Sequence, residues 1–229
     1  MEEKKEILKE QIISTIKEKS LLKQAVYDQT RYAFKLLKKV IQEIVNEYNS
    51  ELRNDDGRVL LEFRDRGVFE VELKVAGDLI VFNMHSNVFE FPRNHEIWKE
   101  SYYVERPLVT YSGIISMYNF LADSFKYNRL DDLGYLIGRM FINKDASFFI
   151  EGRRELGFNY PVFDKNIVNE ENLKTLIESA INYVLKFDLL VPPYEQVKIV
   201  TVDQMKEKIN KSKIQTGKRL GFQYNAIEK

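Results

Sequence analysis

The chain has 229 residues, of which 44% are apolar and 31% are charged, and it contains no cysteine. This composition indicates a folded globular protein and excludes a disulfide framework, a thiolate nucleophile and a cysteine-ligated metal centre. The 35 basic residues balance the 35 acidic ones, so the total charge does not favour nucleic acid as the main partner. We expect a cytoplasmic protein with no cofactor, no metal and no membrane span, because the longest uncharged run, residues 107–122, includes several polar side chains.

The neutral total conceals an uneven distribution of charge. Residues 1–54 carry 11 basic and 9 acidic groups, residues 55–202 carry 17 and 23, and residues 203–229 carry 7 and 3. We predict one α+β domain over residues 1–202, followed by a basic C-terminal helix and tail over residues 203–229. The domain divides into a helical arm (1–54), a β-meander (55–92) and a mixed part (93–202).

The helical arm has neither glycine nor proline between residues 2 and 52, and its apolar residues recur in steps of three and four. We predict two helices, roughly residues 3–19 and 20–49, with Ser20 as the N-cap of the second. The first helix carries a short apolar stripe made of Leu8, Ile12 and Ile16.

The second predicted helix has a more regular apolar repeat. Leu37, Val40 and Ile44 follow one another with the spacing of a coiled-coil seam. Two interpretations stay open. The seam packs on the protein's own sheet, or it binds a second copy or another protein partner.

Residues 58–64 and 68–75 alternate apolar and polar side chains, as half-buried strands do, whereas residues 79–84 are apolar on both faces, as expected inside a sheet. We predict a hairpin that turns near Gly67, with Phe63 opposite Phe69 and Glu62 opposite Glu70. Two further strands, residues 79–84 and 88–91, complete an antiparallel meander.

The mixed part contains both helical and strand patterns. Apolar spacing predicts two successive helices near residues 114–125 and 133–141, although the first of these segments also suits a strand. Residues 147–151 and 197–202 are predicted strands, and Asn169 is the predicted cap of a long helix between them. The predicted fold is therefore α+β: long N-terminal helices packed on an antiparallel meander of roughly four to six strands, with further helices covering the other face.

The tripeptide Glu72-Leu73-Lys74 is the strongest catalytic candidate. Strand alternation places Glu72 and Lys74 on one face, where a carboxylate and an ammonium group can serve metal binding and water activation. The tripeptide resembles the E-x-K motif of the PD-(D/E)xK nucleases. The predicted order of elements, namely helix, three strands, helix and strand, is similar to the core of that family. The resemblance implies a metal-dependent nuclease, for which Asp65 in the hairpin turn is the candidate upstream acid. Cross-strand pairing of Glu and Lys on a solvated face is the alternative explanation.

An aromatic loop over residues 93–106 suggests a third possibility, a sensor of a small ligand or nucleotide. Its ring and guanidinium side chains suit stacking on a planar ligand, and the residues concerned are His95, Trp98, Tyr102 and Arg106. The alternative is a loop held against the core by amphipathic aromatic side chains.

The tail interleaves basic and apolar residues, among them Lys218, Arg219 and Phe222, in a pattern suited to an acidic partner. The chain shows no P-loop, dinucleotide-binding glycine motif, nucleophile elbow or H-E-x-x-H motif. The sequence therefore favours a non-catalytic interaction or scaffolding protein. We expect it to self-associate or to bind a partner through the N-terminal helix and the tail.

Overall fold

The computed structural model describes residues 2–53, 56–99, 105–130, 132–152, 163, 166–186 and 194–206. It opens with a continuous helical rod made of α1 (Glu2–Thr15), a π-helical turn (Ile16–Ser20) and α2 (Leu21–Leu52). The predicted helix start at Ser20 is wrong, because this residue is itself helical (φ −74°, ψ −40°) and its side chain caps no N–H. Residues 2–52 contain no glycine or proline, and the chain stays helical through this point as a π turn.

A six-stranded antiparallel sheet follows, with its strands in sequential order. This confirms the predicted α+β class and the meander. The strands are β1 (Glu62–Asp65), β2 (Glu70–Val75), β3 (Asp78–Met84), β4 (Gly113–Leu121), β5 (Tyr135–Ile142) and β6 (Phe148–Gly152).

The register of the first hairpin differs from the prediction. Phe63 pairs with Leu73 instead of Phe69, and Glu62 pairs with Lys74 instead of Glu70. The predicted register set two glutamates opposite each other, whereas the observed one sets a carboxylate opposite an ammonium group, which cross-strand electrostatics favour. The turn is longer as a result, with Gly67 at φ 110°.

The helices predicted near residues 114–125 and 133–141 are wrong over most of their length, because these segments form β4 and β5. Residues four apart lie on one side of a helix, but they also lie on one face of a strand. The β-branched pair Ile114 and Ile115 favours the strand. Only the end of the first segment is helical, as the short α3 (Ala122–Lys126).

The main core lies between one face of the sheet and two helices, and we call this side of the sheet the helix face. Helix α4 (Glu170–Leu185) starts after Asn169, whose side chain accepts the N–H of Asn172, as the sequence predicted. It packs beside α2 in the same core as the inward-facing residues of the sheet, such as Leu73 and Phe82. We predicted that further helices would cover the opposite face of the sheet. The longest of them, α4, lies instead beside α2 on the helix face, because its apolar side chains belong to the same core.

The other side, which we call the second face, is covered by irregular chain at its β4–β6 end. An aromatic cluster there joins Phe91, Phe141, Phe149 and Phe163, and α3 reaches the same face where Phe125 meets the ring of Phe120. Two predicted strands do not form. Residues 88–91 make only the bridge between Phe89 and Ser112. The short helix α5 (Tyr194–Val197) ends where the last strand was predicted to begin, and no strand follows over residues 198–202.

Candidate interaction surface

The beginning of the helical rod carries apolar side chains that contact no other part of the described structure. Every described side chain from Lys4 to Leu21 is exposed, and burial begins only at Leu22 and Val26. We call residues 4–21 the projection. Its large apolar side chains are about half exposed or more: Ile7 50%, Leu8 56%, Ile12 50%, Ile13 43%, Ile16 54% and Leu21 65%.

Some of the exposed apolar residues of the projection form a stripe, whereas Ile7 lies about 140° of helical rotation from Ile12 and outside it. Leu8, Ile12 and Ile16 follow one another at intervals of four residues, which places them along one side of the helix, and Ile13 widens the stripe. Ser14 lies two residues, or about 200° of helical rotation, from Ile12 and therefore on the opposite side. The described residues leave the side chains of this stripe exposed.

The seam predicted from Leu37, Val40 and Ile44 lies elsewhere, inside the domain. These side chains are 0%, 2% and 0% exposed and belong to the core between α2 and the sheet. Their positions agree with the first interpretation, in which the seam packs on the protein's own sheet. The exposed apolar residues of this helix lie instead in the projection, which the sheet does not cover.

The candidate nuclease residues Glu72 and Lys74 share the second face, as strand alternation predicted. Glu72 has a side chain only 3% exposed, and Arg66 donates to both of its carboxylate oxygens, at 2.8 and 3.0 Å. This ion pair raises the pKa of Arg66. Lys74 donates to Glu62, and that hydrogen bond lowers the pKa of Glu62. Both members of the tripeptide thus act in cross-strand pairs that hold the hairpin together.

Asp65 is separated from this network by the sheet itself. It pairs with Val71 and so points to the helix face, where Lys38 of α2 donates to it at 2.5 Å. The hydrogen bond from Lys38 lowers the pKa of Asp65. The structure does not bring Asp65 to Glu72, and within the described part of the chain no three His, Asp or Glu residues are grouped as a metal site requires.

The aromatic loop packs on the second face through Ile97 and Trp98, which contact the aromatic cluster, and its polar groups bond to one another. Trp98 donates its indole N–H to the carbonyl of Pro92 at 3.1 Å, and Arg93 lies over the Trp98 ring at 4.3 Å. His95 packs on Phe91, with ring centroids 4.7 Å apart, and its Nδ1 accepts the N–H of Ile97. These contacts match the expectation of a loop held against the core.

Of the remaining candidate residues, the structure describes only Arg106. Arg106 is exposed and precedes a 3₁₀ turn over Pro107–Thr110. Four candidates lie outside the described residues, namely Tyr102, Lys218, Arg219 and Phe222.

Sequence reasoning found the stripe of the projection but not its exposure. Leu8, Ile12 and Ile16 have the same spacing as the buried residues of α2, so periodicity alone does not separate them. The available signal was the alternation of Lys and Glu on the remaining positions of residues 2–19, which is typical of a helix surrounded by solvent.

No protein-family model, no curated protein and no solved structure matches the chain. Among the described residues, no helix combines the length and the apolar character needed to cross a membrane.

Proposed function

We propose that this is a non-catalytic, cytoplasmic scaffolding protein that self-associates through the projection. The observation that supports this proposal is the exposed stripe of Leu8, Ile12 and Ile16 on a helix whose continuation is anchored in the core. An unanchored helix of this length is marginal in water, but α2 supplies a formed helix on which the projection is built. The chain contains no cysteine and so would gain no disulfide bond in an oxidising compartment, which supports a cytoplasmic location.

The strength of the association follows from the size of the stripe. The projection spans 18 residues, or about 27 Å of helix, which is short for an interface that buries the roughly 1,000 Å² of a stable complex. Fully burying one exposed Ile or Leu contributes about 1.5–3 kcal/mol. The three side chains of the stripe are already about half covered, so six of them contribute about 5–9 kcal/mol against an association cost of about 4–15 kcal/mol. The stripe therefore supports at best a weak, reversible dimer, with a dissociation constant on the order of millimolar.

The proposal is tested by measuring mass in solution over a range of protein concentrations. Light scattering and sedimentation equilibrium should show the mass rising from 27.1 kDa towards twice that value as concentration increases. Ile12→Glu places a carboxylate in the middle of the stripe and should weaken the dimer by about a hundredfold or more.

Ser14→Glu is the matched control, because it adds the same charge on the opposite side of the same helix. It should leave the dimer intact, and both variants should melt like the parent, since both positions are exposed. A monomer at all concentrations, or equal weakening by the two substitutions, contradicts self-association through this stripe.

A further inference from the structure

We draw no further inference here: the strongest candidate, the exposed apolar stripe of the projection, already carries the proposed function, and nothing among the described residues shows what covers it.

Discussion

Asp78 and Asn119 form a polar pair at the edge of the helix face that leaves one hydrogen-bonding atom unsatisfied. Asn119 donates its side-chain N–H to Asp78 Oδ1 at 2.9 Å, and its own Oδ1 is buried without a partner. Burial raises the pKa of Asp78, although the hydrogen bond from Asn119 opposes this shift. The pair therefore combines a partly buried carboxylate with an unpaired amide oxygen.

Asp78→Asn should stabilise the protein at neutral pH. The new amide keeps the Oδ1 acceptor and replaces the second carboxylate oxygen with a donor, so two side-chain amides can make two reciprocal N–H···O bonds. Satisfying a buried acceptor contributes about 1–2 kcal/mol, which corresponds to a rise in melting temperature of about 2–8 °C for a domain of this size. Asp78→Ala is the control, because it removes the acceptor and leaves both polar atoms of Asn119 unpaired.

The pH dependence of this difference supplies a second readout. A carboxyl group with a raised pKa in the folded state contributes stability that is complete below its unfolded pKa of 3.8 and is lost as pH rises through the folded pKa. The advantage of Asp78→Asn should thus be largest near pH 7 and shrink towards pH 4. Thermal melts at several pH values measure it, and the reasoning fails if the Asn and Ala variants melt equally far below the parent at pH 7.

Three further predictions concern the contact between α2 and the sheet, the first hairpin, and the contact between α2 and α4. Gly113→Ala would place a Cβ 2.0 Å from Thr30 Oγ1 and 2.8 Å from its Cβ, so we expect a loss of about 1–3 kcal/mol in thermal unfolding; an unchanged melt would show that α2 shifts freely. Glu72→Gln weakens a charge-assisted pair and should cost about 1 kcal/mol in urea unfolding, whereas magnesium-dependent nuclease activity lost in this variant would contradict the structural role of Glu72. Burial and the hydrogen bond to Glu178 raise the pKa of Tyr48 to about 12, so the parent should lose stability between pH 10 and 12 relative to Tyr48→Phe, and parallel unfolding curves across that range would contradict this link.

The sequence predicted the fold class because helix and strand periodicities are explicit where only one of them fits. The helical rod lacks breakers throughout, and Asn169 caps α4 as expected. Residues 114–141 were misassigned because apolar residues at intervals of four fit both a helix and a strand. The strand forms because residues such as Ile115 pair with Met84 and Met140 on the neighbouring strands. Such pairing joins residues distant in the sequence, and local spacing does not contain it.

The candidate site was predictable in composition but not in position. Periodicity identifies Leu8 and Ile44 alike as members of apolar stripes, yet one is 56% exposed and the other is fully buried. The difference depends on where the sheet ends beneath the helix. The same limitation applies to Asp65 and Glu72, whose separation by the sheet follows from a hairpin register that was itself predicted wrongly.

The π-helical turn offsets the exposed stripe from the core-facing side of α2. In a regular α-helix, Leu8 and Val26 would lie on one line, since the 18 residues between them make five turns of 3.6 residues. The turn over Ile16–Ser20 falls between them, and one extra residue in a helix rotates everything before it by up to about 100°. The stripe of the projection is therefore rotated from the line that the core-facing residues of α2 would follow in a regular helix.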